Sequence, residues 1–237
     1  MAEEKTGSFK PGLQAGASIA IGYFPIALTF GLLSKTTGLT LIETVLMSLI
    51  VYAGASQYMG LSLIAAGTSP FVIILTTFVV NIRHFLMTAA LNQKVEEPSK
   101  WKRGLFAFGI TDETFSVLAM RNGKIPLGYG FGVTFIAYAS WVVSSGIGYV
   151  IGANLPQFLQ ASMTVALYAM FIGLLVPSLK KSVKVLFLAA LSAAFNSIFT
   201  GYGVMEEGWS IIVSTLLSAF LVEMAETYKR KKQVKEK

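Results

Sequence analysis

Eight apolar stretches, each bounded by Gly, Pro, charge or interfacial aromatics, occupy nearly the whole chain: 12–34, 41–66, 69–91, 104–120, 127–152, 157–178, 184–200 and 208–227. Most approach the about 20 apolar residues that a helix needs to cross a bilayer. A soluble fold cannot hide them, because 54% of the 237 residues are hydrophobic and only 13% are charged, against roughly 25% charged in a soluble domain. Backbone amides in lipid must be satisfied within their own segment, and no alternating barrel pattern is present, so the stretches read as helices. The expected fold is an all-α polytopic membrane protein, one transmembrane domain over 1–237 without a separate catalytic or nucleic-acid-binding module.

The net charge of +7 does not point to nucleic acid, since the basic residues concentrate in short loops and in the tail at 228–237. That is the pattern by which membrane proteins orient, and attraction to lipid explains the tail. The absence of cysteine excludes disulfides, thiolate metal sites and cysteine nucleophiles. The polar, acidic start lacks the regions of a cleaved signal, so the first span is expected to direct insertion.

Loop charges set a topology. Lys94, Lys100, Lys102 and Arg103 precede the fourth stretch, and Arg121 and Lys124 follow it. Both flanks read as cytoplasmic, so 104–120 is expected to be a short re-entrant or broken helix that enters and leaves on one side. About seven full spans remain, with the N-terminus outside and the C-terminus cytoplasmic. Stretches 12–92 and 127–200 have similar spacing, and a shift of 116 pairs Gly12 with Gly128, Gly16 with Gly132, Leu39 with Leu155, Met47 with Met163, Tyr52 with Tyr168 and Ala53 with Ala169. This suggests an internal repeat, inverted if each half holds an odd number of spans.

Polar residues at membrane depth carry the functional information, since each charge near the midplane costs about 2.5–3.5 kcal/mol even on insertion scales. The third stretch holds Asn81, Arg83 and His84, and the fourth holds Thr111, Asp112 and Glu113. Opposite charges on consecutive elements imply a pairing of Arg83 or His84 with Asp112 or Glu113 around a cavity, and adjacency on a helix allows only one acid to face Arg83. An amino acid's carboxylate and ammonium would exchange with such partners, and a carboxylate or His84 would carry a coupling proton. A purely structural ion pair is the plainer alternative. In the second stretch, Gly54, Ala55, Ser56 and Gln57 combine small and hydrogen-bonding residues where a helix break would free backbone groups for a ligand; close helix packing explains the small ones equally well. Gln57 needs a partner in either case. Pro25 removes a backbone hydrogen bond and invites a kink that shapes a pathway or merely bends a helix. Asn196 lies near the repeat position of Asn81. Trp141, at mid-span, reads as core, and Trp101 and Trp209, at segment starts, as interfacial anchors.

Three runs, MSLIVYAGASQYMG, NIRHFLMTAAL and GITDETFSVLAM, in this order and spacing, resemble the AzlC family of branched-chain amino-acid permeases and exporters; GYFPIALTFGLLSKTTGLT resembles the same family's first helix and loop. The resemblance implies an inner-membrane, proton-driven exporter of valine, leucine, isoleucine or methionine, working with a small membrane subunit of the AzlD type and without a cofactor or metal. The matching positions are Gly54, Ala55, Ser56, Gln57, Arg83, His84, Thr111, Asp112 and Glu113. Tyr23 and Phe24 depart from the family's commoner small residues before the proline. The competing readings are an intramembrane enzyme using Ser56 and His84, disfavoured by the lack of a GxSxG or HExxH pattern, a non-transporting scaffold, and an uptake permease for another solute.

Overall fold

The computed structural model describes residues 9–96, 99–151, 182–205 and 207–235, with isolated positions between 156 and 180. Almost all of the stretch at 157–178, and Leu155, Met163, Tyr168 and Ala169 of the 116-residue register, lie outside the described residues. The described helices are α1 (Phe9–Thr36), α2 (Leu41–Ile50), α3 (Gly54–Ala65), α4 (Pro70–Asn92), α5 (Lys100–Phe108), α6 (Asp112–Ala119), α7 (Leu127–Ile151), α8 (Val183–Gly201) and α9 (Glu207–Lys235). Two short strands, β1 (Val95–Glu96) and β2 (Ile125–Pro126), complete the set. Among the described residues, five helices are long and apolar enough to cross a membrane: α1, α4, α7, α8 and the Gly208–Thr227 part of α9. They fall into two compact units, one within Met1–Leu61 and Val80–Leu167, the other within Ser62–Val79 and Tyr168–Lys237.

The first unit is built on α1 and α7, which pack in parallel along their length. Gly12 meets Tyr129 and Gly132, Gly16 meets Val133 and Ile136, and Gly31 meets Ser145 and Gly148. A side chain at Gly12, Gly31 or Gly148 would collide with backbone of the opposite helix, so glycine sets how near the two axes come. Ser140 reinforces the seam by donating to the Ala20 carbonyl (2.7 Å). The end of this unit where α1 and α7 begin is also where β1 and β2 lie, and it carries Lys94, Arg121 and Lys124; it is the basic end.

The stretch at 41–66 forms two helices that fold back in a V instead of one span, a correction to the expected crossings. A continuous helix would hold Met47 and Gly60 about 20 Å apart, yet Met47 Cε lies 3.1 Å from the place a Cβ on Gly60 would occupy. Tyr149 donates to the Leu39 carbonyl (2.9 Å) at the far end, α2 descends along α7 to the level of Tyr138 and Trp141, and α3 returns, with Tyr58 against Phe30 and its hydroxyl on the Ile26 carbonyl (2.6 Å). The bend is at Tyr52, a non-glycine residue at φ +42°, a conformation that L side chains seldom adopt.

A second V enters from the basic end. β1 and β2 pair in parallel, Val95 with Ile125 and Glu96 with Pro126, and Lys94 Nζ donates to the carbonyls of Ala119 (2.9 Å) and Arg121 (3.4 Å). The chain therefore returns after α6 to the place it left before α5, as a re-entrant element must. The bend has the punctuation of a helix stop and start: Gly109 closes α5, and Thr111 caps α6 through a reciprocal pair in which the Thr111 N–H donates to Thr114 Oγ1 (2.7 Å) and the Thr114 N–H to Thr111 Oγ1 (3.4 Å). Asp112 and Glu113 then occupy the first turn, where the helix dipole favours acids. A long helix followed by a V thus occurs twice, α1 with α2–α3 and α4 with α5–α6. The second copy runs opposite to the first.

In the second unit α8 and α9 are antiparallel, joined at one end by Lys184 to Glu223 (2.6 Å) and Glu226 (2.9 Å) and at the other by Ser210 donating to Asn196 Oδ1 (2.8 Å). A cavity of about 360 Å³ lined by Val183, Phe187, Leu191, Leu221 and Val222 lies between them.

Candidate functional site

The two bends meet in the middle of the first unit. The Tyr52 ring lies 6.1 Å from Phe108 at the end of α5 and 4.9 Å from Tyr138 of α7, and Phe108 lies 5.7 Å from Tyr138. Glycine permits this approach at each tip. A Cβ on Gly54 would come 2.8 Å from the Trp141 ring, and one on Gly109 would come 2.5 Å from Thr134 Cβ.

One turn of α4 ties the two tips together. Asn81 Nδ2 donates to Ser56 Oγ (3.0 Å) in the first turn of α3. His84 Nδ1 meets the Ile110 carbonyl (2.9 Å) at the second bend, and Arg83 pairs with Asp112 at 3.1 Å. Asn81 and His84, three residues apart, lie on one face of the helix. Glu113 turns to α1 instead: Tyr23 donates to Glu113 Oε2 (2.5 Å), and because that uses the single phenolic proton, Thr111, 2.7 Å away, donates to the Tyr23 oxygen. Of the two acids it is Asp112 that takes Arg83.

The first bend is braced by a closed ring of hydrogen bonds. Trp141 Nε1 donates to Gln57 Oε1 (3.0 Å), Gln57 Nε2 to Ser48 Oγ (3.1 Å), Ser48 to Ser145 Oγ (2.9 Å), and Ser145 to the Trp141 carbonyl (2.7 Å). Gln57 Oε1 also accepts the Ala53 N–H (3.2 Å), which the bend frees. Gln57, Ser48 and Ser145 have no exposed surface, and Trp141 retains 2%. Each bond contributes about 1 kcal/mol net, but an orphaned partner at this depth costs about 1–3 kcal/mol. Gln57 is the strut of the first V.

Gly54, Ser56, Gln57, Asn81, Arg83, His84, Thr111, Asp112 and Glu113 are therefore gathered in one place. Pro25 lies beside it on α1, which continues through the proline as one helix, with Thr29 Oγ1 donating to the Pro25 carbonyl (2.9 Å). Asn196 belongs to the other unit and is bonded there to Ser210. Ser56 and His84, the pair an enzyme reading requires, have other partners: Ser56 donates to the Ala53 carbonyl (3.0 Å) and His84 Nδ1 meets Ile110. Sequence reasoning missed Tyr23, Ser48 and Ser145 as site residues and took Trp141 for plain core. Of these, Tyr23 carried a signal as a departure from the small residues that the resembled family commonly has before the proline, and Tyr52 stands within the run MSLIVYAGASQYMG that carries the resemblance.

A family model described as AzlC protein matches residues 18–155, a range that includes both bends, α4, α7 and the larger part of α1. Inner membrane protein YgaZ of Escherichia coli K12 is 32% identical over 199 residues, 81% of this chain and 81% of that protein. An uncharacterized membrane protein of Archaeoglobus fulgidus is 31% identical over 180 residues, 74% and 78% of the two chains. The branched-chain amino acid transport protein AzlC of Bacillus subtilis is 24% identical over 180 residues, 75% of this chain and 70% of that one. No solved structure matches the chain.

Proposed function

This chain belongs to the AzlC protein family, and we propose that it exports branched-chain amino acids, with methionine as a related substrate, across the cytoplasmic membrane, driven by protons and assisted by a small AzlD-like membrane subunit. The observation that carries this reading is the meeting of two oppositely directed Vs at a cluster of ionisable side chains. Irregular backbone at membrane depth is tolerated where it lines a cavity, and half-helix ends there serve as ligand sites in transporters. The similarity to a Bacillus subtilis protein named for branched-chain amino acid transport supports the substrate class. Asp112 is engaged by Arg83, which leaves Glu113, bonded by neutral Tyr23, as the carboxylate for the coupling proton.

The topology follows the V geometry. With 41–66 and 100–119 re-entrant, α1 starts at the basic end, so the N-terminus is cytoplasmic rather than outside. With 157–178 read from its hydropathy as a span, Lys180, Lys181, Lys184 and the tail favour a C-terminus on the same side and six crossings.

The test is efflux of labelled valine, leucine, isoleucine and methionine from cells expressing the chain with and without its small subunit. Faster efflux of a branched-chain substrate that requires the subunit supports the assignment. Unchanged efflux of all four from cells with properly inserted protein refutes it.

A further inference from the structure

Buried side-chain polar atoms rarely lack a hydrogen-bond partner, yet four of them gather at the meeting point of the two Vs: Tyr52 OH, Asn81 Oδ1, Arg83 Nε and His84 Nε2. They lie on two pieces of chain, the first bend and α4, which touch each other and both touch the second bend. Tyr52 meets Phe108 ring to ring, Asn81 reaches Ser56, and Arg83 and His84 reach Asp112 and Ile110.

The partners already present fix what each free atom offers. Ser56 spends its proton on the Ala53 carbonyl, so it can only accept from Asn81, whose amide nitrogen faces it and whose Oδ1 is left as an acceptor. The Ile110 carbonyl can only accept, so His84 Nδ1 carries a proton, and with the ring neutral Nε2 is an acceptor. Arg83 Nε is a donor by nature, and the Tyr52 hydroxyl donates where an anion is offered. Two donors and two acceptors stand unspent.

Resting on the transport reading above, we infer that these four atoms form the binding site for the zwitterionic head of a free α-amino acid. The carboxylate accepts from Arg83 Nε and Tyr52 OH, and the ammonium donates to Asn81 Oδ1 and His84 Nε2. Tyr52 is a substrate-contacting residue on this account, and its φ of +42° is the backbone strain that aims its hydroxyl, as strained residues at functional sites commonly do. The site selects against amines, keto acids and peptides, each of which lacks one of the two charged groups or masks it.

The experiment is equilibrium binding of labelled leucine to the purified full-length chain in lipid nanodiscs, competed by leucine, by 4-methyl-2-oxopentanoate, which lacks the ammonium, and by 3-methylbutan-1-amine, which lacks the carboxylate. On the unmodified protein both truncated probes should compete about a hundredfold worse than leucine or more, because each leaves site groups unpaired. Tyr52→Phe keeps the ring contacts and should weaken leucine and the keto acid about tenfold, the effect of one hydrogen bond to a charged group, while leaving the amine unchanged. Asn81→Leu should weaken leucine and the amine and spare the keto acid. Leucine binding that either truncated probe matches, or that Tyr52→Phe and Asn81→Leu leave unaltered, overturns the site while the transport reading stands. A wild-type chain that binds no branched-chain amino acid, either alone or co-purified with its small subunit, overturns both.

Discussion

The two Vs share a shape and differ in what holds them. The bend of α2–α3 is braced by neutral groups alone, the Gln57–Ser48–Ser145–Trp141 ring. The bend of α5–α6 is held by side chains that carry charge or border it: Arg83 on Asp112, Tyr23 on Glu113, and His84 on the Ile110 carbonyl. A neutral, fully satisfied ring has no cause to rearrange when a proton or a zwitterion arrives. An ion pair with Arg83 about two-fifths exposed and Asp112 one-quarter exposed does, because either partner can exchange for a substrate group of the same sign. On the proposed transport reading, the first V is the fixed wall of the site and the second is the part that responds to what is bound.

Substitutions that separate stability from transport test this contrast. Asp112→Asn should have the largest effect, reducing efflux to that of cells without the protein while the purified variant unfolds close to the wild-type temperature; a scaffold would leave efflux and assembly unmoved. Gln57→Leu should act in the opposite sense. It orphans the Trp141 N–H, the freed Ala53 N–H and Ser48, and should lower stability by about 3 kcal/mol, read as an earlier thermal transition in detergent, with transport per folded molecule largely preserved. Gly109→Ala forces a Cβ to within 2.5 Å of Thr134 Cβ and should cost about 1–3 kcal/mol through overpacking, slowing transport as the second tip shifts. Tyr23→Phe removes one donor from Glu113 and should change stability by about 1 kcal/mol. Its effect on efflux should exceed its effect on unfolding, because the lost bond is on the responsive side.

The second V was legible in the sequence and the first was not, for a physical reason. Lys94, Lys100, Lys102 and Arg103 before the second V and Arg121 and Lys124 after it put the same sign of charge at both ends of a short segment, and charge is what sets membrane topology. The first V has no such markers. Its 25 residues from Leu41 to Ala65 are apolar enough, and together long enough, to pass for a span. What folds them back is a polar ring whose members Gln57 and Trp141 lie 84 positions apart, a contact that hydropathy and local spacing do not encode. Arg83 and Asp112 were legible because charges at depth are few. Tyr23 stood out only as a departure from the resembled family's pattern, since a tyrosine in an apolar helix looks like packing until the carboxylate it serves is placed. The hidden turn also alters the proposed topology, which has one crossing fewer than the sequence suggests, with α1 and α7 starting side by side at the basic end.

The opposed Vs are tested most directly by thiol labelling, since the chain has no cysteine of its own. Single replacements Thr36→Cys before the first V, Ser69→Cys after it and Asn122→Cys after the second, all at exposed positions, would be treated with a membrane-impermeant maleimide on intact cells. The account predicts that Thr36→Cys and Ser69→Cys both label from outside and that Asn122→Cys labels only after the cells are opened. Labelling of only one of the first two from outside would mean that residues 41–66 cross the membrane, and would contradict it.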